Sequence, residues 1–263
     1  SNLQSISNEL NIGLDSLVFI DDSNFEIELI KSSLPEVKCY KVPSREFEIG
    51  LMMRELSNLF YNPSITDEDI QKTRLYKDQI KRAKNKSVSI EDYLKSLNLT
   101  IYVYFDDFNQ VPRISQLTQK TNQFNLTSKR YTEKEIEEFI IENNKTVISI
   151  KVHDKFGDCG LTGLSILDND ELMIDTLLLS CRILGRGIEN RFMDIIVDFF
   201  KSNGNTVLGS RFIPTNKNQQ TEDFYNSVGF VKSEENIDFS EYHLTLENYK
   251  SSNSNYIKVQ NGR

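Results

Sequence analysis

The stretch "SCRILGRGIENRFMDIIVDFFKSNG", Ser180 to Gly204, decides how the rest of the chain is read. An apolar run, "DTLLL", leads into it. Ser-Cys-Arg and two glycines follow, then a helical pattern with Ile188, Phe192, Ile195, Ile196 and Phe199 on one face. A strand that enters a helix through Gly185 and Gly187 has three explanations. The turn needs the conformational freedom of glycine. The unpaired N–H groups at the helix start hold an anion. Or Cys181, at the strand end, does covalent chemistry beside them.

Reading outward, "KTVISIKVHDKFGDCGLTGLSILDNDELMIDTLLLSC" predicts three successive strands, with tight turns at Asp154–Asp158 and Asp168–Asp170. Upstream, "LTIYVYF" is a strand, and a polar loop with one or two helices fills Pro112 to Asn143. Downstream, "TVLGSRF" is a strand, "TEDFYNSV" a short helix and "EYHLTL" a closing strand. The order β, α, β-β-β, α, β, α, β predicts an α+β mixed sheet with flanking helices.

The chain before Leu99 reads differently. "SLVFIDD" and "VKCYKV" are strand candidates. "SNFEIELIKSSL" places Phe25, Leu29, Ile30 and Leu34 on one helical side, and "EIGLMMRELSNLF" is a second helix. That is half a parallel α/β sheet. Thr66 to Leu97 is charged and helical, with capping-box patterns at Thr66–Asp69 and Ser89–Asp92. The expected divisions are 1–62, a partial α/β unit; 63–98, a helical connector; 99–250, the α+β domain; and 251–263, a flexible Ser/Asn-rich tail.

Composition limits the function. The 263 residues are 38% hydrophobic and 27% charged, as in an ordered globular chain. No apolar run reaches membrane-spanning length and no signal pattern opens the chain. The three cysteines, Cys39, Cys159 and Cys181, have no metal-ligand spacing and fit a reducing, cytoplasmic setting. A net charge of -8 argues against general nucleic-acid binding. Ser1 in place of Met fits a chain cut upstream.

Arg182, Gly185 and Gly187 follow an R-x-x-G-x-G spacing that resembles the pyrophosphate-binding turn of GNAT-like acyltransferases. The resemblance implies that this turn, with Arg186, holds the diphosphate of coenzyme A. In "PTNKNQQTEDFYNSVGF" it implies an Asn218 along the pantetheine arm and a Tyr225 that protonates a leaving thiolate. Tyr225 and Phe224 also read as core aromatics.

The strings "QKTNQFNLT", "DKFGDCGLTG", "LSCRILGRGIE", "VFIDD", "TDEDIQKTRLY", "DYLKSL" and "YNSVGF" resemble the FkbH-like proteins of polyketide pathways over nearly the whole chain. In that family a phosphatase-like domain of the haloacid dehalogenase (HAD) superfamily precedes a GNAT-like domain. The resemblance implies a glyceryl group derived from 1,3-bisphosphoglycerate, carried as a thioester on Cys181 and passed to the phosphopantetheine arm of an acyl carrier protein. His153 and Asp158 would orient or deprotonate the thiol. Lys120, Thr121, Asn122, Gln123 and Asn125 would bind the glyceryl hydroxyls, or would only satisfy loop backbone. Lys217 would sit near the arm's phosphate, and Cys159 is a rival nucleophile in a turn. The chain departs from the family in lacking a D-x-D-x-T nucleophile motif. Only Asp21 and Asp22 remain of the acidic motifs, a weak Mg²⁺ remnant needing the missing half of that domain. Two other functions stay open: an N-acyltransferase moving an acyl group from acyl-CoA to a small amine, and a non-catalytic module that docks a carrier.

Overall fold

A computed structural model describes residues 2–10, 12–61, 90–252 and 254–262. The chain divides into two compact units, Ser1–Ile70 and Gln71–Arg263.

In the first unit, α1 (Asn2–Leu10) leads to β1 (Val18–Asp21), α2 (Asn24–Ser33), β2 (Lys38–Lys41) and α3 (Glu46–Phe60). β1 and β2 pair in parallel, with Val18 opposite Lys38 and Asp21 opposite Lys41. Ser23 caps α2 by accepting a hydrogen bond from the Glu26 N–H. The buried residues of α2 are Ile27 and Ile30; of the expected side Ile30 is buried, whereas Phe25 and Leu29 are 72% and 43% exposed. The sheet here has two short strands, so it covers one narrow stripe of the helix and the bulkier residues stay outside. The expected connector and both capping boxes fall mainly on residues 62–89 and lie outside the described residues, apart from α4 (Ile90–Ser96).

The second unit has the architecture expected of it. Its further elements are β3 (Thr100–Phe105), α5 (Val111–Lys120), α6 (Glu133–Glu142), β4 (Lys145–Asp154), β5 (Gly157–Asp168) and β6 (Met173–Leu179). There follow α7 (Ile188–Ser202), β7 (Val207–Phe212), α8 (Phe224–Ser227), β8 (Val231–Glu235), β9 (Ser240–Thr245) and β10 (Lys258–Asn261). Among the described residues these eight strands form one mixed sheet, in the order β10-β3-β4-β5-β6-β7-β9-β8. The two hairpins between β4 and β6 are antiparallel, whereas β6 and β7 run parallel across the α7 crossover.

Both faces of this sheet are covered, which is why β6 is buried on both sides. Ile188, Phe192, Met193, Ile196, Val197 and Phe200 of α7 join one core with Ile101, Ile150, Leu177 and Leu179. Val111, Ile114 and Leu117 of α5, with Ile136 of α6, form the other with Leu164, Ile166 and Leu178. Thr132 and Glu135 cap α6 reciprocally.

The tail corrects a second expectation. Instead of hanging free, Lys258–Asn261 form β10, paired in parallel with β3 from Thr100 to Val103. Asp194, only 1% exposed on α7, fastens the approach to it. Its carboxylate accepts hydrogen bonds from Tyr249 Oη at 2.7 Å, from the Ser252 N–H at 2.9 Å and from Ser252 Oγ at 2.7 Å. Ser- and Asn-rich composition suggested disorder, but a buried charge and an open sheet edge supply the ordering energy.

Candidate functional site

Parallel β6 and β7 stay in register for two pairs only, Met173 with Gly209 and Ile174 with Ser210. Beyond Ile174 they are no longer paired with each other, which leaves an opening between them toward the C-terminal end of β6. There the Ser180 N–H donates to the Thr162 carbonyl, and Cys181–Ile183 make one 3₁₀ turn. Then come Gly185 and Gly187, with φ of 74° and 77°, and α7. Both lie in the left-handed region that glycine adopts without strain. Gly187 has a second reason: a Cβ there would lie 2.5 Å from Tyr256 Oη and 3.1 Å from Ser254 Oγ. Gly185 faces open space. The pair of glycines therefore answers first to backbone shape and to the close approach of the tail.

The tail is a strap over this turn. Tyr256 Oη donates to the Arg186 carbonyl at 2.9 Å, and Ser254 Oγ to that of Gly187. Beneath the strap runs a groove of about 690 Å³, lined among others by Lys95, Asn190, Ser227 and Lys250. At the turn itself an anion is already present. The Gly185 N–H donates to Glu189 Oε1 at 3.0 Å, and Glu189 Oε2 is buried without a hydrogen bond. A side-chain carboxylate thus partners the turn N–H, where the resemblance to a pyrophosphate-binding turn implies a phosphate.

The residues expected to do chemistry are disposed as follows. Cys181 is partly buried, and burial pushes its thiol up, against the smaller lowering by Arg182 and the local backbone N–H groups. That corrects the expected thiolate: desolvation outweighs the flanking charge. Arg186 does not face a free anion either. Its guanidinium lies 3.3 Å from the Asp154 carboxylate and also bonds the Arg182 carbonyl, while Arg182 Nε donates to Ser180 Oγ. Tyr225 is completely buried among Phe224, Phe230 and Tyr242, and burial pushes its phenol well above the ordinary range. It belongs to the core and is not the proton donor expected. Cys159 is likewise buried.

His153 and Asp158 do meet, with Nε2 and Oδ1 3.1 Å apart at the end of the β4–β5 hairpin, both half exposed. Asp154 on the same hairpin carries the contact to Arg186, so the hairpin tip and the glycine turn are neighbours. Asp21 Oδ1 accepts from the Ser23 N–H and closes a local turn, with Asp22 beside it. Among the described residues no group of three His, Cys, Asp or Glu side chains is placed to hold a metal.

The loop after α5 is organised around itself. Asn125 is fully buried, its amide donating to the Thr121 carbonyl and its oxygen accepting from the Ser128 N–H. Asn122 accepts from Arg130 at 2.5 Å, and Lys120 and Thr121 end α5. Lys120 is exposed and Gln123 half-buried. Asn125 and Asn122 thus correct the expected hydroxyl cradle, because their polar atoms hold the loop. Asn218, also fully buried, donates to the carbonyls of Asn125 and Ile213, each at 2.9 Å, and accepts from the Thr215 N–H. It is a pin between two chain segments and not the ligand contact expected of it.

Sequence reasoning missed the polar residues that close this region: Asp194, Tyr249, Ser252, Ser254 and Tyr256. One signal was legible, since Asp194 interrupts the apolar face of "RFMDIIVDFF". It also missed Asp175 on β6, which is 7% exposed and accepts from Lys129, Lys145 and Tyr131. The two ammonium groups and the phenol hold its carboxyl below the usual range despite burial.

No family model matches the chain, and no curated protein does. Solved structures do. An N-acetyltransferase from Staphylococcus aureus Mu50 matches at 17% identity and TM-score 0.43, over 56% of this chain and 99% of its own. A spermidine N-acetyltransferase from Vibrio cholerae matches at 17% and 0.42, over 58% and 96%. A Salmonella typhimurium structure with its cofactor acetyl-CoA matches at 12% and 0.40, over 58% and 98%.

Proposed function

We propose that the second unit transfers an acyl group directly from a coenzyme A thioester to a small amine. The observation that carries this reading is the end of β6–β7 pairing part-way along a strand that leads into a glycine turn and a helix N-terminus. The pantetheine arm is an extended chain with two amides, and strand edges that no longer pair with each other offer it backbone partners. Its phosphates are anions, and the start of α7 with Lys95 and Lys250 beside the groove is the favourable end for them. Gly185 leaves room for a phosphate, and Glu189 would have to turn away from its N–H first.

In this reaction the neutral amine attacks the thioester carbonyl, the tetrahedral oxyanion collapses, and the coenzyme thiolate leaves. The amine proton goes to solvent or to a carboxylate, and the departing thiolate takes its proton from solvent, since Tyr225 is sealed in the core. No enzyme nucleophile takes part, which agrees with a Cys181 thiol held in its protonated form. The net charge of -8 attracts a cationic amine and repels an acidic carrier protein. Glyceryl transfer to an acyl carrier protein through Cys181, which the family resemblance implies, is the reading this one displaces.

The test is turnover of acetyl-CoA with a panel of polyamines and amino acids, read as release of free thiol. The expected result is amine-dependent release that survives Cys181→Ser. Release that needs a carrier protein and vanishes in Cys181→Ser would reverse the assignment.

A further inference from the structure

The opening between β6 and β7 is filled by the chain itself. Phe124-Asn125-Leu126, from the loop after α5, lies antiparallel to β6 with Asn125 opposite Leu178. The Leu126 N–H donates to the Leu177 carbonyl at 3.0 Å, and the Leu179 N–H donates to the Phe124 carbonyl at 2.9 Å. On the other side the Ile213 N–H, just past β7, donates to the Leu126 carbonyl at 2.8 Å. Three residues therefore serve both lips of the opening, as an inserted strand would. Phe124 also packs edge-to-face on Phe224 at 5.1 Å, and Asn218 pins the Asn125 carbonyl.

The hydrogen bonds on the β6 side are one acceptor and one donor, two residues apart. An extended ligand with two amides would use the same pair. The segment and such a ligand cannot occupy that edge together. We infer that Phe124–Leu126 is an internal occupant of the acyl-donor slot, and that binding the donor requires this segment to leave. The inference rests on the acyl-donor reading above.

The segment lies between two fixed points. Its N-terminal anchor is the end of α5, where the Thr121 N–H still donates to the Leu117 carbonyl. Its C-terminal anchor is the Asp175 hub, which holds Lys129 and Tyr131 to β6. Residues 122–128 lie between these fixed points and would move as a loop. Ser128, at φ 55°, is a bend in that loop. Asn218 is then a latch and not a ligand contact, and the two roles have opposite signs. Removing a latch raises the fraction of molecules with an open slot, and apparent affinity rises in proportion. Removing a ligand contact lowers it.

The experiment is calorimetric titration of coenzyme A into the wild-type chain and Asn218→Ala. The expected result is roughly tenfold or more tighter binding in the variant. Equal or weaker binding in a folded Asn218→Ala overturns the inference. Should that variant not fold, amide hydrogen exchange of the wild type with saturating coenzyme A decides. The Leu126 amide should lose protection while the Leu179 amide keeps it. Unchanged protection at Leu126 in the bound state overturns the inference, and leaves the acyl-donor reading standing. If coenzyme A binds neither protein at millimolar concentration, the acyl-donor reading fails, and this inference with it.

Discussion

The opening between β6 and β7 and the glycine turn that follows β6 are both places where secondary structure leaves backbone groups without partners. In each the chain supplies the partners itself, by different means. The opening receives backbone: Phe124–Leu126, buried in the sheet and shared between two strands. The turn receives side chains: the Glu189 carboxylate on the Gly185 N–H, and the hydroxyls of Ser254 and Tyr256 on two carbonyls. Buried backbone pairing forms part of the fold, and loosening it disturbs the core. A single side chain can turn aside from one backbone group without parting two strands. The turn should therefore yield to a phosphate readily and the opening only reluctantly.

Five substitutions and one titration grade that contrast. The largest effect is expected from Asp194→Ala, which leaves the Arg191 guanidinium, the Tyr249 phenol and two Ser252 donors without their acceptor. A loss of about 3 kcal/mol in denaturant unfolding is expected, with early proteolysis of the strap. A stable variant with an intact strap would mean that β10 alone holds the tail. Asn218→Ala should follow at roughly 2 kcal/mol, since the carbonyls of Asn125 and Ile213 lose buried donors. A neutral result would put the pin, and the contrast itself, in doubt.

Gly187→Ala comes third. A left-handed residue costs about 1–2 kcal/mol, and its methyl group would also press on Tyr256. Gly185→Ala keeps the first cost without the second, so the two variants separate backbone strain from strap contact by thermal melting. Glu189→Gln removes a negative charge from the helix start. Coenzyme A affinity should rise several-fold with stability little changed, because charge–dipole terms at a helix end run to about 1 kcal/mol. No change would show that phosphate does not visit the turn.

The smallest signal is the pH dependence of Cys181 alkylation by iodoacetamide, followed by peptide mass. A thiol pushed up by burial is protonated at neutral pH, so the rate should be slow there and should keep rising above its ordinary range. A plateau below pH 7 would reveal a thiolate and reopen covalent chemistry.

How much of this was legible in the sequence follows from where the ordering energy lies. The order of strands from β3 to β7 was readable because apolar runs report burial directly. On α7 the periodicity placed Ile188, Phe192 and Ile196 in the core, but Ile195 and Phe199 are only partly buried and Met193, Val197 and Phe200 were missed. β8 and β10 were not readable, because "VKSEE" and "KVQN" are edge strands with few buried side chains. The tail was misread for the same reason, its order coming from Asp194 and the free edge of β3 and not from its own composition. At the site, "SCRILGRG" announced a glycine turn but could not say what stands on it. A Glu four residues after Gly185 and a Tyr seventy residues after Arg186 meet there only in three dimensions. Asn125 and Asn218, ninety-three positions apart, form one contact that no local pattern encodes.

The most direct measurement is the mass of the intact protein after incubation with acetyl-CoA, alone and with an amine acceptor, for wild type beside Cys181→Ala. Direct transfer requires no acetyl adduct on either protein while free thiol appears only with the amine. A gain of one acetyl group on the wild type, absent from Cys181→Ala, would contradict it and establish a covalent relay through that cysteine.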